Sequence, residues 1–275
     1  MSQIPERLAK LVETTPSGFA RTFKQPGCPE KDDDRTPLDH WNTGDRALDG
    51  LLPEGVLSAA AIHEIEPLRP TDMPSLTGFA FALLARLSTM RPVIWCVTRM
   101  QVGDYGHLYA HGCQRFGLSP AQIVFVRVDH PLQLHFALEE ALKTHGTAAV
   151  IGEGPLPSFT GSRRLSLLAK VHGTPCLLLN PKAGEANGSA AQTRWQVEPT
   201  VGVTDPHDPF GPGLPTWHVA LTRCRGGHTS DQARRIVWHE QTRAFRAASA
   251  FSDGAVSESR ESGRPVRQAL VARSG

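Results

Sequence analysis

Five short apolar runs, Ala59 to Ile65, Val93 to Val97, Ile123 to Val126, Ala148 to Ile151 and Cys176 to Leu179, are each bounded by turn residues and separated by segments of helical period. Continuous apolar runs of this length suit strands buried on both faces of a parallel sheet, because alternation is needed only where one face meets water. Between them, Leu76, Phe79, Ala80, Leu83, Leu84 and Leu87 follow an i, i+3, i+4, i+7, i+8, i+11 series. Further helices are expected around Tyr105 to Phe116, Leu132 to Thr144 and Ser162 to Val171. The alternation predicts an α/β fold, a mostly parallel central sheet covered by helices.

After Leu179 the rhythm changes. Thr193 to Val197, the alternating stretch Trp217 to Thr222 and Ile236 to Trp238 read as strands with no helix between them, which predicts an antiparallel extension of the sheet. Ile4, Leu8, Leu11 and Val12 have helical spacing, followed by a Gly-, Pro- and charge-rich stretch to Pro37. Beyond Glu240, Ala, Ser, Gly, Arg and Glu predominate. The expected organisation is an N-terminal helix and linker arm over 1–37, a core over 38–245 and a disordered tail over 246–275.

Composition excludes several classes. With 29 Lys and Arg against 27 Asp and Glu, net charge +2, the chain has no general attraction for polyanions, so a nucleic-acid contact has to be local. Cys28, Cys96, Cys113, Cys176 and Cys224 form no C-x-x-C pair, as expected for reduced thiols rather than a disulfide framework or zinc site. No apolar leader or membrane-length run occurs, and a soluble, cytoplasmic protein is expected. Of twelve histidines, only His107 and His111 pair at i, i+4 in a predicted helix, and no third metal ligand accompanies them. No metal or cofactor is expected.

Strand 59–65, a loop and the Leu76 helix form the frame that carries a phosphate loop in nucleotide-binding proteins. The loop, Glu66-Pro67-Leu68-Arg69-Pro70-Thr71-Asp72-Met73-Pro74, has no glycine and no lysine, and no Gly-Lys dipeptide occurs in the chain. Pro67, Pro70 and Pro74 each remove a backbone donor that a phosphate cradle uses. Arg69 for a phosphate and Thr71 or Ser75 for magnesium are the substitutes to weigh against a proline-shaped surface loop. Glu153 stands at a strand's C-terminal end, where α/β sites are built; it is an acid for metal or water, or else a solvated or salt-bridged residue. Thr98-Arg99 supplies no acid at the neighbouring strand end. Arg194-Trp195 and Arg223, Arg225 and His228 place cations beside an aromatic and a glycine turn, and Arg163 and Arg164 add to them at a helix start. These are candidate DNA or partner contacts. The alternative is that Trp195 and Trp217 pack in the sheet layer beneath snorkelling arginines. Val266, Leu270 and Val271 are candidate docking residues in the tail.

Thr43-Gly44, Leu48-Asp49, Leu52-Pro53-x-Gly55 and Glu64-Ile65 together resemble the entry to a RecA core. The later order of Tyr109-Ala110, Phe116-Gly117-Leu118, strand, helix, strand and closing antiparallel strands is similar too. Within that superfamily, His63-Glu64-Ile65, Gly78-Phe79-Ala80, Leu84 to Leu87, Phe125 to Arg127, Ser162 to Leu165, Ala190-Ala191-x-Thr193-Arg194-Trp195 and Arg223-x-Arg225-Gly226-Gly227 resemble the ImuA family over about residues 40 to 240. The resemblance implies a RecA-like fold without ATPase activity. It further implies an adaptor in SOS-induced mutagenic translesion DNA synthesis, partnered by an ImuB-like Y-family polymerase homologue, an error-prone C-family polymerase and RecA, with single-stranded DNA as a further ligand. Two other functions stay open: a divergent nucleotide-dependent recombinase using Arg69 and Glu153, and a division inhibitor of the shorter SulA type.

Overall fold

Among the described residues, nine strands form one sheet in the order β3-β2-β4-β5-β1-β6-β7-β8-β9. They are β1 Ile62–Pro67, β2 Val93–Thr98, β3 Ile123–Val128, β4 Ala149–Glu153, β5 Cys176–Leu179, β6 Thr193–Pro199, β7 Thr216–Cys224, β8 Ser230–His239 and β9 Ala244–Ala247. This is a computed structural model that describes residues 41–87, 91–182, 188–204 and 210–248. The predicted helix near residue 4 and the tail with Val266, Leu270 and Val271 lie outside the described residues.

The five predicted apolar runs all become strands, and every pairing from β3 through β6 is parallel. β1, β2, β4 and β5 are buried along their whole length, as strands covered on both faces are; β1 also buries His63, Glu64 and Glu66, and β4 buries Glu153. The antiparallel extension begins one strand later than expected. β6 pairs in parallel with β1, because the chain leaving β5 passes to the far side of β1 before it re-enters the sheet; only β7, β8 and β9 run antiparallel. The 236–238 strand is not the last: β9 adds an edge after it and carries the sheet two residues past the expected boundary at 245.

One layer of helix lies on each face. α1 (Arg46–Asp49) leads into β1, and α2 (Met73–Ala85) lies over β1 and β6. The periodicity predicts an apolar stripe on α2, yet Phe79 through Ala85 is buried in full. Aromatic residues of the antiparallel strands reach it: the Phe79 ring lies 6.1 Å from Trp217 and 5.3 Å from Phe245, so this part of the helix has no wet face left. The predicted 105–116 helix is two helices, α3 (Arg99–Tyr105) and α4 (Ala110–Arg115), because Gly106 ends α3 at φ 84°, a backbone angle that glycine adopts without strain. His107 and His111 therefore do not share one helix face. On the opposite side, α5 (Pro131–Leu142) and α6 (Phe159–His172) cover Ile94, Cys96, Val124, Val150 and Leu178. The other face of β6, β7 and β8 carries Trp195, Val197, Trp217, Val219, Leu221, Ile236 and Trp238 into the α2 core.

Candidate functional site

The Thr43-Gly44 to Asp49 motif is a tie. Thr43 N–H and hydroxyl donate to Asp49 Oδ1 at 2.8 and 2.7 Å, and Gly44 N–H donates to Oδ2 at 3.1 Å. Burial pushes the Asp49 carboxyl up, partly offset by these Thr43 and Gly44 bonds. The carboxylate closes the loop that presents Leu48 to the core.

Two further motifs interlock across β1 and β6. On the α2 face, Trp195 Nε1–H donates to Thr193 Oγ1 at 3.0 Å, and that hydroxyl meets His63 Nδ1 at 2.8 Å. His63 Nε2 lies 2.9 Å from the Ser58 carbonyl. Only the Nε2–H tautomer satisfies both ends, since the carbonyl accepts and the hydroxyl is free to donate. The ring is fully buried, and desolvation pushes its pKa from 6.5 down to about 4. On the α6 face, Arg194 Nε donates to Glu64 Oε2 at 2.8 Å, with Nη2 also 2.8 Å from that oxygen; Ser189 Oγ donates to Oε1. Ser189 carbonyl accepts Arg225 Nη2 at 3.0 Å, and Ala190 N–H donates to Ser162 Oγ at 3.0 Å. Gly227 lies so close to the Leu51 turn that a Cβ there would stand 2.4 Å from Leu51 O. The residues of these motifs hold one another, which explains their shared occurrence.

At the position of a phosphate loop, β1 ends at Pro67, a 3₁₀ turn spans Pro70–Asp72, and α2 begins at Met73. Arg69 Nε lies 3.2 Å from Asp72 Oδ2 and its Nη2 3.3 Å from Glu198 Oε1. Asp72 is buried, accepts the Arg69 N–H at 3.1 Å, and places a carboxylate at the N-terminus of α2. Ser75 turns its hydroxyl back to the Asp72 carbonyl at 2.7 Å. Thr71 and Pro74 are exposed, and Tyr105 OH pins the Pro70 carbonyl at 3.2 Å. Helix N-termini attract phosphate through free N–H groups and a positive dipole end; here a proline removes a donor and Asp72 supplies the negative charge. Sequence reasoning passed over Asp72, whose N-terminal position was the available signal. Glu66 on β1 is buried, and desolvation raises its carboxyl, offset in part by Arg194.

Glu153 is neither solvated nor salt-bridged, contrary to both readings of it as a surface acid. It is 7% exposed, accepts the Trp95 indole N–H at 2.9 Å, and desolvation pushes it from 4.5 up to about 7 against that bond. Burial thus shifts this acid toward its neutral form relative to a surface carboxylate.

The candidate DNA contacts divide. Trp195 is fully buried and is no stacking platform, because its strand face belongs to the α2 core. Arg194 is spoken for by Glu64. Arg223 and Arg225 share the β7 end with it, and burial followed by the charges of Arg225 and Arg194 lowers Arg223. His228 is exposed on the next turn, its N–H bound to Leu51 O at 2.8 Å. Arg163 and Arg164 lie apart, on α6: Arg163 sits over the Phe159 ring, and Arg164 pairs with Glu139 at 2.9 Å. Phe159, an exposed aromatic at a helix start, was missed. Among the described residues no group of three or more His, Cys, Asp or Glu gathers to hold a metal, and no helix is long and apolar enough to cross a membrane. Cys96, Cys113, Cys176 and Cys224 are free thiols.

No protein-family model matches the chain. Two curated proteins do, each named protein ImuA, from two strains of Caulobacter vibrioides, NA1000/CB15N and ATCC 19089/CB 15. Each is 32% identical over 206 residues, covering 70% of this chain and 82% of its relative. The chain belongs to the ImuA family. For an ImuA-family chain, the interlocked motifs form the scaffold, and exposed side chains outside it are where binding to a partner is to be sought.

Proposed function

We propose that the chain is a non-catalytic, RecA-like adaptor of damage-induced mutagenic translesion synthesis. It binds an ImuB-like Y-family polymerase homologue, joins an error-prone C-family polymerase through that complex, and contacts RecA. Membership of the ImuA family supports the pathway. The observation that carries the non-catalytic reading is Asp72: a buried carboxylate at the N-terminus of α2, with Arg69 bound to it, repels a triphosphate where a nucleotide-binding fold attracts one. Glu153, held in a pocket that favours its neutral form, supports it further.

Calorimetry with ATP and Mg²⁺ tests this directly. The expected result is no heat of binding in the micromolar range; micromolar affinity lost on Arg69→Ala would establish the nucleotide-dependent recombinase instead. Partner choice is tested by recovery from DNA-damaged cells, where polymerase subunits are expected; recovery of division proteins alone, with filamentation on expression, would favour the SulA-type alternative.

A further inference from the structure

Among the described residues, ten large hydrophobic side chains are exposed, and five of them lie on two adjoining helices: Leu132 (81%) and Phe136 (40%) on α5, Phe159 (50%), Leu167 (63%) and Val171 (75%) on α6. Single exposed leucines are ordinary; half of a protein's exposed large apolar groups on one helix pair is the signature of a covered surface. The helices are neighbours, tied by Arg164 to Glu139 at 2.9 Å, and the His145 ring in the turn after α5 lies 5.8 Å from that of His172. Phe159, Arg163, Leu167 and Val171 follow one another at four-residue spacing along the outer side of α6.

Charge narrows the occupant. The acids here are already neutralised, Glu139 by Arg164 and Glu140 by Lys143 at 2.7 Å. Arg163 and Lys170 are exposed on α6 and have no acidic partner among the described residues. A two-fold related second copy would set these cations against themselves. Residues 249–275 carry four arginines against three acids and offer no negative face. An acidic amphipathic helix satisfies both the apolar stripe and the unpaired cations.

We propose that the outer face of α5 and α6 docks an acidic amphipathic helix of a partner protein. Resting on the adaptor reading, this places the ImuB-like polymerase homologue's contact on the opposite side of the sheet from α2. The test measures binding of the purified ImuB-like protein of the same genome to wild type, Leu167→Asp, Val171→Asp and the Arg163→Glu/Lys170→Glu pair, at low and high salt. Thermal melts confirm folding, which these exposed sites leave intact. Loss of at least about 10-fold in each apolar variant is expected, with the charge-reversed pair weaker at low salt and less salt-sensitive than wild type. Wild-type binding with affinities within about twofold across all variants would overturn the surface while leaving the adaptor standing. No wild-type binding would remove both, and a dimer dispersed by Leu167→Asp in sedimentation would make the occupant a second copy and overturn the proposal.

Discussion

Replacing Glu153 by Gln should change how stability depends on pH. Glu153 is buried against Trp95, and desolvation raises its carboxyl from 4.5 to about 7. Between those values the native state keeps a proton that the unfolded chain releases, so the wild type loses stability as pH rises from about 4.5 and the loss is complete above about 7. Linkage across this interval gives under about 1 kcal/mol at pH 5 and about 3 kcal/mol at pH 8, a difference of roughly 2–3 kcal/mol. The substituted amide keeps an acceptor for the indole but has no charge to desolvate. Whatever that amide costs is constant with pH, so the readout is the change in the difference between the two proteins. Urea denaturation at both pH values should therefore show Glu153→Gln gaining roughly 2–3 kcal/mol relative to wild type from pH 5 to pH 8, equivalent to a Tm shift of roughly 5–10 °C for a domain of this size. Parallel curves at the two pH values would refute the argument and leave Glu153 ionised in the native state, as a metal-binding acid requires.

His63 produces the opposite limb. Its folded pKa of about 4 lies below the ordinary 6.5, so stability falls as pH drops from about 6.5 toward 4, by up to about 3 kcal/mol; His63→Gln should flatten that limb in the same denaturation series. Asp49→Ala removes the acceptor of two backbone donors and the shorter of the two bonds of the Thr43 hydroxyl, and a loss of roughly 2–4 kcal/mol in chemical denaturation is expected. Glu64→Gln takes from Arg194 the carboxylate it is bonded to, leaving only the Glu66 charge nearby, and should lower stability by roughly 2–4 kcal/mol. Adding Arg194→Met should return part of that loss, and a double-mutant cycle with no coupling would show that the pair is not formed.

The fold was legible where burial alone determines the outcome. Val93 to Val97 and Cys176 to Leu179 have no polar residue to place, so a doubly covered strand was the only use for them. The direction of β6 was not legible, because direction depends on the route by which the chain reaches Thr193, and that route depends on Ser189 finding Glu64 and Ala190 finding Ser162. The 105–116 segment has helical period throughout, but a positive φ at Gly106 is a backbone choice that periodicity does not record. At the candidate site the missing lysine and glycines were readable directly. The ionisation of Glu153 was not, since it rests on an indole from a different strand and on how much water that strand excludes.

If the chain is the non-catalytic adaptor proposed above, these residues separate two ways in which nucleotide binding could be lost. Loss of the lysine and glycines alone would leave a weak, general anion site at the start of α2, because the helix dipole persists whatever the loop sequence. On the proposed reading the chain goes further: Asp72 occupies that end with a buried carboxylate, Arg69 is drawn off to Asp72 and Glu198, and the acid on β4 sits where its charge is disfavoured. Each change reverses the electrostatic preference of the position it occupies. Restoring one group, such as a lysine in place of Arg69, would leave Asp72 where it is and should not restore ATP binding. Calorimetry on Arg69→Lys with and without Asp72→Asn separates the two effects: affinity regained by Arg69→Lys alone would show that the site is merely degenerate, whereas a requirement for both would show that Asp72 is what excludes the triphosphate.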